Sequence, residues 1–164
     1  MRRRWLIMVG LLLTACGVNP TPLPQPTLIS LQPTALPTLP VVISTDPPHD
    51  CGPEAAIALA QTQSDLALAA DSRVEVLQQS NADAVAIAQA GQQEYGAARD
   101  LMKAYDVPEC LLQAKVFADL FFTERIQAYQ ALSVGDPTAY DAHLNNGEIA
   151  RQNMITAVNG VLGE

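Results

Sequence analysis

Twelve prolines divide this chain of 164 residues, and their spacing sets what each part can become. Nine fall between Pro20 and Pro48, whereas Pro53, Pro108 and Pro137 stand alone. Proline fixes φ and lacks a backbone donor, so neither a helix nor a central strand runs through the crowded segment. Residues 17–50 also hold many threonines and no lysine or arginine. Extended, polyproline-II-like chain is expected there, at about 3.1 Å per residue, enough to hold the remainder of the chain up to roughly 100 Å from its attachment point. The segment reads either as a spacer of required length, its threonines open to glycosylation, or as a linker whose length is immaterial. Leu36 to Ile43 is apolar, yet Pro37 and Pro40 exclude a membrane helix.

The isolated prolines mark helix starts. Pro53 followed by Glu54 suits a first turn, where a missing N–H costs nothing and a carboxylate meets the positive helix end. Leu59, Leu66, Ala70, Val74 and Leu77 then recur at helical spacing, which predicts a helix over about 54–80. Ser80, Asn81, Ala82 and Asp83 break it. A second helix, about 83–105, carries a narrow seam of small and aromatic residues: Ala84, Ala88, Gly91, Tyr95, Ala98, Met102 and Tyr105. Pro108 and Glu109 open a third, about 109–132, the most apolar, with Leu111, Leu112, Val116, Phe117, Leu120, Phe121, Phe122, Ile126, Tyr129 and Leu132 as its stripe. The fourth, about 137–162, carries Tyr140, Leu144, Gly147, Arg151, Met154, Val158 and Val161 in phase, although Asn146 with Gly147 is ordinarily a turn signal. The chain is 49% apolar but only 5% aromatic, and its 25 alanines predict helices that approach closely. Four similar helices joined by short turns predict an all-α fold, an antiparallel up-down-up-down four-helix bundle.

The N-terminus carries a different signal. Arg2, Arg3 and Arg4 precede nine apolar residues from Trp5 to Leu13, too few for the about 20 that a bilayer span requires. A basic start followed by a short apolar run is the pattern of a signal peptide. The run ends in Leu13, Thr14, Ala15 and Cys16, which resembles the lipobox of bacterial lipoproteins. That resemblance implies diacylglycerol on the Cys16 thiol, cleavage before it, and a mature protein that begins there. Two acyl chains suffice for stable anchoring, where one is marginal. An ordinary secreted protein, with Cys16 merely near a cleavage site, is the alternative. Residues 1–15 are thus expected to be a lipoprotein signal peptide, 16–50 the lipidated cysteine and its linker, and 51–164 the helical domain.

Export leaves Cys51 and Cys110 as two thiols in an oxidising compartment, each beside a Pro-Glu helix start, and a disulfide between them is expected. An up-down-up-down course would bring them to the same end of the bundle. Loss of the three arginines would take the net charge from −8 to about −11, which argues against nucleic acid and against anionic lipid surfaces as partners.

Catalytic and metal-binding motifs are scarce. No Glu is followed three residues later by His, and no C-x-x-C, G-x-S-x-G, H-E-x-x-H, P-loop or glycine-rich dinucleotide turn occurs. His49 lies in the linker, and His143 reads as a solvated or hydrogen-bonded structural residue. Asp71 and Glu75, one turn apart, are the best carboxylate pair for a divalent cation, against the plainer reading of an acidic solvated face. Val116 to Phe122 reads as core, with a partner-binding patch as the alternative, and Arg151 as an inward or snorkelling cation in the fourth seam. The expectation is a lipid-anchored, extracytoplasmic, non-catalytic protein without cofactor or bound metal, held to the membrane through lipid on Cys16. Its role would be to bind another envelope protein or a surface polymer. The alternative is a carrier of a small ligand or metal ion with its site between the helices.

Overall fold

A computed structural model describes residues 50–163. The expected signal peptide, Cys16 and the expected linker up to His49 lie outside the described residues. Four helices make up the fold: α1, Pro53–Gln79; α2, Ala84–Ala104; α3, Leu112–Ser133; and α4, Pro137–Leu162. No strand occurs among the described residues. They form a helical bundle in which α1 packs on α2, α2 on α3, α3 on α4, and α1 on α4, the last pair less closely than α3 and α4.

Local chemistry sets the helix ends. Pro53 and Pro137 occupy first-turn positions in α1 and α4. Asp83 caps α2 by accepting the Ala86 N–H at 2.7 Å, and Asp136 caps α4 by accepting the Ala139 N–H at 2.9 Å. Asn81 and Gly135 take positive-φ conformations just beyond the ends of α1 and α3. The third helix departs from expectation at its start: Glu109–Leu111 is a 3₁₀ turn and the α-helix proper begins at Leu112. There the Leu111 N–H reaches the Pro108 carbonyl at 2.9 Å, an i to i+3 bond that tightens the first turn. Cys110, within that turn, is disulfide-bonded to Cys51, just ahead of α1, with Cα atoms 6.0 Å apart.

The α2 seam lies in the core: Ala88, Gly91, Tyr95, Ala98, Met102 and Tyr105 are buried, and only Ala84, at the first turn, is exposed. Tyr95 is the centre, fully buried, with its ring 5.7 Å from Tyr129, 6.4 Å from Phe122 and 6.5 Å from Phe121. The α3 stripe needs correction. Leu112, Val116 and Leu120 are exposed, Val116 by 64%, while Ala114, Ala118, Phe121, Phe122, Ala128 and Tyr129 face inward. Alanines let α2 and α4 come close on either side, leaving the larger aliphatic residues nowhere to enter. Val116 to Phe122 is therefore mixed, with Val116 and Leu120 outside and Ala118, Phe121 and Phe122 inside.

The helix α4 runs unbroken through Asn146 and Gly147. Gly147 is buried against α3, where a Cβ would lie 3.5 Å from the Glu124 Cβ and 3.6 Å from the Phe121 carbonyl. Gly91 marks a tighter approach, since a Cβ there would fall 2.3 to 2.5 Å from the ring carbons of Tyr129.

Candidate functional site

Polar ties hold three of the helix interfaces. Between α1 and α2, Arg73 donates to Glu94 at 2.5 Å and the Tyr95 hydroxyl donates to Asp71. Between α2 and α3, Lys115 donates to the carbonyls of Lys103 at 2.9 Å and Tyr105 at 2.5 Å, capping the C-terminal end of α2. Between α3 and α4, the His143 Nδ1 lies 2.8 Å from Glu124. Burial, together with the bond to Asp71, pushes the Tyr95 phenol far above its ordinary range. Tyr129 is pushed up to about 12, first by burial and then by Tyr140.

The α1/α4 side is built differently. Ala60, Gln63, Ser64, Ala67, Leu68 and Asp71 of α1 face Arg125 of α3 and Arg151, Met154 and Ile155 of α4 across a groove of about 440 Å³. Small-ligand sites generally occupy about 300–1,000 Å³. Small side chains at 60 and 67 keep α1 from filling the space. Gln63 stands on the buried face of α1, 3% exposed, one turn after Leu59 and three residues before Leu66. Its Nε2 has no hydrogen-bond partner. A buried donor left unmade costs about 1–3 kcal/mol, so an amide at this position needs a reason.

Arg125 supplies a second unmet group. Its guanidinium carbon lies 5.2 Å from the centroid of the Phe121 ring, one turn earlier in α3, a cation–π placement. Its buried Nε has no hydrogen-bond partner and lies 3.8 Å from where a Cβ on Gly147 would be. Among the described residues Arg125 has no ion pair, whereas Arg99, Lys103 and Arg151 each meet a carboxylate. Arg151 is held in a two-pronged bond to Glu148, at 2.6 and 2.9 Å. That bond, followed by one from Gln152, holds the Glu148 carboxyl down to about 2, and the same pairing raises Arg151. The groove thus offers an amide from α1 and guanidinium groups from α3 and α4, the Asp71 carboxylate already engaged by Tyr95, and apolar side chains between them. Such a set has the chemistry to take a ligand by hydrogen bonds and apolar contact.

The residues singled out from the sequence are distributed around this site. Arg151 lines the groove. Asp71 lines it too, but Glu75 instead accepts from Gln79 at 2.9 Å, so the two carboxylates do not converge. No cluster of three or more His, Cys, Asp or Glu side chains occurs among the described residues. His143 sits with Glu124, away from the groove. Gln63 and Arg125 escape sequence reasoning. The available signal was a glutamine at a seam position between Leu59 and Leu66, and an arginine one turn after Phe121 in the most apolar helix. Among the described residues no helix is long and apolar enough to cross a membrane. The chain matches no protein-family model, no curated protein and no solved structure.

Proposed function

We propose that this is a lipid-anchored, extracytoplasmic helical-bundle protein that acts by non-catalytic binding of another envelope component, with the α1/α4 groove as its binding site. The observation that carries the reading is that groove, where a buried amide and a guanidinium without an ion pair line one opening. Anchoring is supported by Leu13, Thr14, Ala15 and Cys16 after an apolar run of signal-peptide length. Export is supported by the Cys51–Cys110 bond, a pairing that persists in oxidising compartments. An up-down-up-down course is supported by the successive pairing of neighbouring helices and by a disulfide that ties the start of α1 to the start of α3.

A second reading, a carrier of a small ligand, is favoured by the size of the groove and shares its site. The test is photocrosslinking on intact cells from a residue on the groove wall, Ile155, against one on the exposed side of α2, Leu101. The reading expects a discrete adduct from position 155 and none from 101. Equal capture from both positions, or from neither, would contradict it.

A further inference from the structure

Resting on that assignment of the groove, we infer that its ligand bears a single carboxylate joined to a short aliphatic portion. The donors at the groove point to this chemistry. The unanswered groups at the groove are nitrogen donors: the Gln63 amide nitrogen, buried without a partner, and the Arg125 guanidinium, which lines the groove and has no ion pair among the described residues. A guanidinium presents parallel N–H groups that match a carboxylate in a two-pronged bond, and such charge-assisted bonds are the strong ones.

The rest of the wall sets the remainder of the ligand. Ala60, Ala67, Leu68, Met154 and Ile155 offer apolar contact, and methionine adapts to irregular shapes. Charge limits the ligand to one negative group. Arg151 is already neutralised by Glu148, and Asp71 in the same groove offsets the charge of Arg125, so a ligand with more than one negative group would meet net repulsion. A chain of net charge −8 repels a polyanion, and this disfavours phosphate-rich or polyacidic ligands.

Two sources carry this chemistry: a free short-chain acid and the C-terminal carboxylate of a peptide. Calorimetric titration of the full-length protein in nanodiscs separates them, with hexanoate, the tripeptide Ala-Ala-Leu and its C-terminal amide as probes. The Arg125→Met protein in the same nanodiscs cancels partition into lipid. Saturable binding of hexanoate, the tripeptide acid or both is expected, weakened about tenfold or more in Arg125→Met. Arg125→Lys, which keeps the charge without the fork, should fall between. The tripeptide amide should bind at least tenfold more weakly than the acid if the peptide is the source. Absence of saturable heat from both carboxylates, binding in Arg125→Met within twofold of wild type, or equal binding of acid and amide would overturn the inference. If Arg125→Met fails to fold, Arg125→Lys and the acid–amide pair on the wild type still decide it. A null titration would leave capture at Ile155 untouched, so failure here is separable from failure of the groove as a partner site.

Discussion

Three glycines inside helices answer the same substitution in opposite directions. Replacing glycine by alanine in a helix interior gains about 1 kcal/mol of propensity where space permits. At Gly96 nothing lies within 4 Å of the added Cβ, so most of that gain should appear. At Gly147 the new methyl would meet Glu124, Phe121 and Arg125 at 3.5 to 3.8 Å, ordinary contact, and the variant should also be stabilised. At Gly91 the Cβ would stand 2.3 Å from the Cγ of Tyr129, the base of the ring rather than a flexible end. That ring stacks on Tyr95 at 5.7 Å and meets Tyr140 at 6.0 Å, so it has no free direction in which to retreat. Overpacking of this kind costs about 1–3 kcal/mol, and a clash this short belongs at or beyond the upper end. After the propensity gain the net loss should be about 2 kcal/mol, a fall in Tm of roughly 6–10 °C for a domain of this size. Urea unfolding followed by far-ultraviolet circular dichroism reads all three. A Gly91→Ala protein as stable as Gly96→Ala would refute the close approach of α2 to Tyr129. In a Tyr129→Ala background Gly91→Ala should become stabilising, and that coupling is the second check.

Gln63→Leu should raise stability by about 1–2 kcal/mol, because it removes a buried donor without a partner at similar volume; destabilisation would mean that Gln63 is satisfied in the free protein. The native pKa of Tyr129 lies above the ordinary tyrosine value of about 10, so its contribution to stability is fully present below pH 10 and is lost as pH rises toward 12. Alkaline titration at 295 nm should show delayed ionisation coupled to loss of helicity, and a phenol titrating normally in the folded protein would contradict the packing around it. The Cys51–Cys110 bond closes a loop with a sequence separation of 59, so Cys110→Ala with Cys51→Ala should cost about 4 kcal/mol on the chain-entropy account. Equal urea midpoints for that variant and the wild type would show that the unfolded chain gains nothing from release.

The parts of the fold legible in the sequence are those where one face differs sharply from the rest. The α2 seam is the clearest case: small and aromatic residues step by three and four among polar ones, and Gly91, Tyr95 and Met102 lie in the core. The α4 seam survives the Asn146–Gly147 turn signal because the missing Cβ serves contact with α3. By contrast, α3 is apolar over most of its circumference, so periodicity gives its hydrophobic set no direction. Its buried face is chosen by alanines 114, 118 and 128, which weigh little in any hydropathy pattern. Gln63 and Arg125 are hidden for another reason. A polar residue on a seam reads as a lapse in phase, and what makes these two candidates is the lack of a partner, a property of the packed molecule rather than of sequence spacing.

The most direct test of an exported, membrane-tethered binding protein is the chemistry of its own N-terminus. Intact and peptide mass spectrometry of the protein purified from membranes should find a chain that begins at Cys16 and carries diacylglycerol on its thiol. With Trp5 removed, it should show no indole fluorescence. A free Cys16 thiol, or a mature terminus at any other residue, would contradict the anchored arrangement.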